Sequence, residues 1–146
     1  MTTIREASPR VGTSWRKNVD DERAIRRLMA RYCHLVDDGA FDELGALWSE
    51  DAELALRDET ATGPTAIVAM IGALQTPERR GIHVGANAII DVEGDAARAV
   101  SDFVFMRRED TPDPIVKFVG RYTDRFVRTR DGWRFRRREI NFRFGA

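Results

Sequence analysis

Between residues 31 and 39 the chain reads RYCHLVDDG. That stretch puts Tyr32, Cys33, His34, Asp37 and Asp38 within seven positions. Each carries a group that could move or hold a proton. His83 is the only other histidine. An imidazole is a competent general base near neutral pH. A carboxylate accepting from its second ring nitrogen would fix the tautomer and stabilise the imidazolium. The chemistry within reach is therefore proton abstraction, if a carboxylate and a histidine can be brought together. Other templates fail. There is no GxSxG, no Walker A loop and no GxGxxG after a strand. The acidic DVEGD at 91–95 is too short for a calcium loop and reads as a hairpin turn. Cys33 is the single cysteine, which excludes an intrachain disulfide and a CxxC metal site. No metal and no redox cofactor is expected.

The elements must decide which of these groups face inward. Asn18 is a good N-cap, and Asp20, Asp21 and Glu22 suit the first turn of a helix. Ile25, Leu28, Met29, Tyr32, Leu35 and Val36 follow a 3.6 period, and Gly39 ends it. At about 100° per residue, Tyr32 falls in the middle of the apolar stripe and His34 on the opposite, solvated face. Cys33 sits at the stripe's edge and reads as a small packed hydrophobe. Asp37 is also at the edge, in the last turn. It is either a solvated helix end or a functional carboxylate in need of a partner. A short second helix runs from about Phe41 to Trp48. A third starts at Gly63–Pro64, since proline is tolerated at the first helical position.

After residue 80 the pattern changes to long strands rich in β-branched and aromatic residues, separated by EGD at 93–95, TPDP at 111–114 and RDG at 130–132. A short strand near Glu53 to Leu56 adds to them. Helices followed by an antiparallel meander indicate an α+β fold. The expected form is a cone-shaped α+β barrel, with three N-terminal helices on a strongly curved, mainly antiparallel sheet around a cavity. Strict alternation groups His83 with Gly85, Asn87, Ile89 and Asp91, against a more core-like set of Ile82, Val84, Ala86, Ala88, Ile90 and Val92. His83 then points either outside or into a polar-lined cavity. Asp102 shares a face with Val100, Val104 and Met106. It is either a buried polar group or a solvated one opposite Ser101, Phe103 and Phe105. Simple alternation from Trp133 turns Arg137 inward rather than Arg138.

The chain has 146 residues, of which 42% are hydrophobic, which fits one domain with a real core. Residues 1–17 are polar and aperiodic and are expected as a flexible arm, with 18–146 as the domain. Twenty-four basic and 24 acidic residues give a formal net charge of zero. That balance argues against nucleic acid or a membrane surface as partner. No apolar run approaches a membrane span, and the first residues lack the apolar core of a signal peptide. A soluble cytoplasmic protein is expected.

The order of parts, with Y-x4-D ending a helix, ALWSEDAEL, a GP-started helix, H-x-G-x-N in a strand, and GRYTDRFVRTRDGWRF before a terminal arginine cluster, resembles the SnoaL-like branch of the nuclear transport factor 2-like superfamily. The resemblance covers about residues 20–140. Enzymes of this branch include scytalone dehydratase, bile acid dehydratase and lindane dehydrochlorinase. The resemblance implies a pocket at the cone's open end and a homodimer or homotrimer. It also implies a catalytic pair of Asp37 and His83, with Tyr32 as a further catalytic hydrogen-bond donor. Arg138 would hold an enolate or carboxylate, which requires a bulge, and Asn87 would help orient it. Asp102 lies on the strand face that carries such polar groups in relatives, and Trp48 and Met106 would help shape the pocket. Scytalone dehydratase has a second pocket histidine that this chain lacks. The implied activity is cofactor-independent elimination from a cyclic or polycyclic substrate. The alternatives are an isomerase or polyketide cyclase using the same base, and a non-catalytic binder.

Overall fold

A computed structural model describes residues 13–145. Helix α1 spans Thr13–Asp38 and α2 spans Phe41–Leu44, followed by a 3-10 turn at Gly45–Leu47. Strands β1 (Trp48–Leu56) and β2 (Glu59–Thr62) precede α3 (Pro64–Leu74) and a second 3-10 turn at Pro77–Arg79. Then come β3 (Ile82–Glu93), β4 (Ala96–Arg107), β5 (Ile115–Thr129) and β6 (Gly132–Phe144). The six strands form one sheet in the order β2-β1-β6-β5-β4-β3, antiparallel throughout except where β1 pairs β6. Three helices packed on a curved, mainly antiparallel sheet make this the expected α+β architecture. Among the described residues, no helix is long and apolar enough to cross a membrane.

Two boundaries differ from the sequence expectation. Helix α1 begins by Thr13, so Asn18 is not its cap, and residues 13–17 of the expected arm are helical. Residues 1–12 of that arm lie outside the described residues. The reason is tertiary. Asp21 serves no first-turn role; Arg128 and Trp133 of the β5–β6 hairpin hold it at 2.7–3.1 Å, well inside the helix. Trp15, the expected anchor, is half exposed with Arg16 beside its ring. The second difference is Trp48. It does not end a helix but heads β1, because its ring packs on Phe135, its register partner in the parallel pair, at 5.0 Å.

The end of α1 has a definite stop. Gly39 has φ +67°, its N–H donates to the Val36 carbonyl at 3.2 Å, and Ala40 N–H donates to the Leu35 carbonyl at 2.9 Å. This is a Schellman closure, which a left-handed residue makes without strain only as glycine. It leaves Asp37 in the last helical turn. Ile25, Leu28, Tyr32 and Val36 are buried against the sheet, as the 3.6 period requires.

Two β-bulges set which residues face the interior. In β3 the register slips between Ala86 and Ile89, and Asn87 takes φ +54°. His83 therefore points inward together with Ile90 and Val92, although they differ in parity, while Ile82, Val84 and Ile89 are exposed. In β6 the slip falls opposite Arg125 and Phe126, where Arg136 is the extra residue. Trp133 and Phe135 face in before it, and Arg138, Ile140 and Phe142 after it.

Candidate active site

Asp37 at the end of α1 meets His83 at the start of β3. Asp37 Oδ1 lies 2.6 Å from His83 Nδ1, and Asp37 Oδ2 accepts the His83 backbone N–H at 2.9 Å. Both side chains are only about a tenth exposed, at 11% and 10%. A carboxylate can accept only from a protonated Nδ1, so this contact selects the tautomer in which Nε2 carries the lone pair. Through the backbone bond, Asp37 also anchors the first residues of β3 to α1.

Behind this pair sits a buried ion pair. Arg138 Nε and Nη2 each donate to Asp124 at 2.8 Å, and both side chains are almost fully enclosed. Aromatic rings box the guanidinium: its carbon lies 3.8 Å from the Tyr122 ring centroid, 4.2 Å from Tyr32 and 4.6 Å from Phe135. Cation–π contacts of this kind are made more often by a guanidinium than by an ammonium. Burial works against the Arg138 charge, but Asp124 beside it outweighs that and raises its pKa above the ordinary value. Burial pushes the Asp124 carboxyl upward, against the pull of the arginine. It also pushes the Tyr32 hydroxyl up to about 12, opposed mainly by the Arg138 charge. Tyr32 thus keeps its proton and is a donor, not a base. Burial raises the Cys33 thiol too, which leaves it an inert packed group.

Two cavities meet at His83 and Tyr122, which line both. The main chamber, about 340 Å³, is the interior of the cone, walled by Tyr32, Leu54, Phe103, Phe105, Ile140 and Phe142 among others. The side chamber, about 380 Å³, lies between α1 and β3, with Met29, Cys33, Asn87 and Arg138 in its wall and exposed His34 at its rim. Both are in the size range of small-molecule sites. Arg138 Nη1 is buried and has no hydrogen-bond partner.

The other expected pocket residues are placed differently. Asp102 lies on the outer face of the sheet, bonded to Arg121 at 2.8 Å and to the Asn87 amide at 3.1 Å, because Ser101, Phe103 and Phe105 form the inward set. Its charge partner Arg121 and Asn87 hold its carboxyl below the usual range. Met106 shares that outer face and borders neither chamber. Trp48 is core, its ring edge against Tyr32 at 6.1 Å, and it also borders neither chamber. Asn87 reaches the side chamber only.

Sequence reasoning missed Asp124 and Tyr122. The signal was present: in FVGRYTDRF, Phe118, Gly120, Tyr122, Asp124 and Phe126 share one parity. An acid inside an aromatic set asks for a buried cation. Gly120 is required at its place, because a Cβ there would sit 2.5 Å from the Asn141 carbonyl oxygen and 2.6 Å from Phe103.

Comparison with known proteins gives a consistent picture. The family model of the SnoaL-like domain matches residues 17–139. An NTF2-like protein with a cystatin-like fold from Novosphingobium aromaticivorans is 34% identical, with 91% of this chain and 88% of that one covered and a TM-score of 0.81. A protein of the same organism, provisionally assigned as a scytalone dehydratase, is 29% identical over 87% of each chain, with a TM-score of 0.76. LinA is 21% identical, covering 90% of this chain and 92% of its own, with a TM-score of 0.80. A search of curated proteins returned no match.

Proposed function

Because the chain belongs to the SnoaL-like domain family, we propose that it is a cofactor-independent lyase of the dehydratase type, with His83 as general base and Asp37 as its orienting carboxylate. The observation that carries this reading is the 2.6 Å contact between His83 Nδ1 and Asp37 Oδ1 at the wall of an apolar chamber. In the proposed reaction His83 Nε2 removes a proton from a carbon next to the one bearing the leaving group. The C–H electron pair forms the new double bond, and the leaving group departs with its bonding pair. Asp37 stabilises the imidazolium that results. Tyr32 donates a hydrogen bond to a carbonyl or leaving oxygen in the main chamber, strengthened by the Arg138 charge behind its ring. Arg138 is thus assigned to support this donor, because Asp124 and three rings hold it in the wall away from the main chamber. The substrate is a cyclic or polycyclic organic molecule of a size to fill that apolar space. The same base would serve an isomerase or cyclase. The side-chain contact of Asp37 and His83 at the chamber wall supports the catalytic reading over a non-catalytic binder of the same fold. We further propose that the protein is cytoplasmic and works as a homodimer or homotrimer.

The test is deuterium incorporation followed by product mass. A panel of cyclic β-hydroxy carbonyl compounds in D2O should show exchange or loss at the acidic C–H. His83→Ala should remove it, by about 10²–10⁴-fold or more, while His34→Ala should stay within about twofold of wild type. Equal losses in the two variants would sink the base assignment. Loss of water or another leaving group identifies a lyase, and unchanged mass an isomerase.

A further inference from the structure

The main chamber is apolar in depth but not at its mouth. Its deep wall is formed by Tyr32, Val36, His83, Phe103 and Tyr122. Its outer wall comes from the turns after β1 and α3 and from the last residue of β4, and these contribute Arg57, Arg79 and Arg107. Among the described residues, no aspartate or glutamate lines the chamber. Arg107 is partly neutralised by Glu109 at 2.9 Å, but Lys117 shares that same carboxylate at 2.5 Å. Among the described residues, no carboxylate forms an ion pair with Arg57 or Arg79. Their acidic neighbours in sequence, Asp58 and Glu78, are exposed and outside the chamber wall.

Two further details point the same way. Arg57 is held in the left-handed region at φ +54°, with its guanidinium carbon 5.2 Å from the Phe142 ring centroid, so the cation is parked over an aromatic wall of the chamber. Arg107 Nε is buried without a partner at that rim. In a protein of zero net charge, three arginines lining one apolar opening, with no acid beside them in the described lining, create a local positive potential. Low-dielectric walls strengthen it.

We infer that the substrate is amphipathic, with an apolar ring body in the chamber and an acidic group, carboxylate or phosphate, held at the mouth by Arg57 and Arg79. This rests on the main chamber being the substrate site of the proposed lyase and narrows its substrate class. Guanidinium forks match either oxyanion bidentately. The ring body lies inward, toward His83, and the acid remains at the solvent edge, where a charge need not be fully dehydrated.

The experiment uses 2-naphthylacetate and its uncharged twin, 2-naphthylacetamide, titrated calorimetrically into the full-length protein and into Arg57→Gln, Arg79→Gln and the double variant. The acid should bind at least about tenfold more tightly than the amide, equivalent to ~1.4 kcal/mol. The double variant should erase that preference while leaving amide affinity within about twofold, and raised salt should weaken the acid alone. The carboxylate against the corresponding 2-naphthylmethyl phosphate distinguishes the two acid types. Equal binding of acid and amide would overturn the inference. So would a preference that survives the double variant, or no binding of either probe at about 1 mM. Binding measured in His83→Ala separates the two ideas. An acid preference retained without any turnover in the wild type would sink only the lyase reading.

Discussion

Asp37 is the residue on which the site depends, because both of its oxygens are engaged by His83. Asp37→Asn can keep one of those bonds but not both, since an amide nitrogen cannot accept from Nδ1–H or from the backbone N–H. Activity in that variant should fall by about 10²–10⁴-fold, with a loss of stability of only about 1–2 kcal/mol. Turnover and thermal melting measured together decide it; near-wild-type turnover would dismiss the orienting role. The Arg138–Asp124 pair should behave oppositely. Removing Asp124 as Asp124→Ala leaves a buried guanidinium unpaired and should cost about 3–5 kcal/mol in chemical denaturation. A loss below about 1 kcal/mol would show that water or a rearranged ring supplies the missing partner. Tyr32 was legible in RYCHLVDDG because a helical wheel sets it on the inward stripe and His34 opposite; the wheel left Asp37 at the edge, and only the family resemblance singled it out. Asp124 was equally legible from the parity of β5, but only if an acid among aromatics is taken as a buried partner rather than an error in the face assignment.

At the scale of elements, α1 and the β5–β6 hairpin are locked together by Asp21. Arg128 binds it bidentately at 2.7 and 2.8 Å, and the Trp133 indole N–H donates to it at 3.1 Å. The hydrogen bonds from Arg128 hold the Asp21 carboxyl below its ordinary value of 3.8, with burial opposing and Trp133 assisting. A carboxyl whose folded pKa is depressed contributes stability above its unfolded pKa and loses it as pH falls through the folded one. The melting temperature should therefore drop as pH is lowered below about 4, and Asp21→Asn should flatten that part of the profile. Parallel pH profiles for the two proteins would rule the lock out as a source of acid sensitivity. The same lock places Asp21 inside α1 rather than in the first turn that the sequence suggests. Three acids in a row at 20–22 read as a first turn, yet one of them was reserved for a partner more than a hundred residues away.

At the scale of the molecule, one face of the sheet closes the chambers and the other remains bare. On that outer face Ile82 pairs Met106, Val84 pairs Val104, and Ile89 pairs Val100 across β3 and β4, with Ile89 69% exposed. These exposed apolar pairs, parted by Asp102 with its partners Arg121 and Asn87, are where a second copy would pack. Analytical ultracentrifugation at micromolar concentration should find a dimer or trimer, and Ile89→Asp should shift it toward monomer. A wild-type protein that sediments as a monomer would remove these pairs from consideration as a self-association surface.

The periodicities of the chain, near 3.6 in the first third and near 2 after residue 80, were sufficient to determine three helices, an antiparallel meander, an α+β fold and the inward stripe of α1. These are local properties, written by neighbours three, four or two positions apart. What the tertiary structure alone decided is which side of each strand faces the chamber beyond its bulge. One extra residue near Asn87 lets His83 and Ile90 share the inner face, and one at Arg136 turns Arg138 inward in place of Arg137. A slip of a single residue reverses every side chain after it. Whether a strand takes that slip depends on what its neighbours can pack. The distance between Asp37 and His83 is likewise no property of either segment: it exists because a glycine-closed helix end and a bulged strand arrive at one corner of the cone.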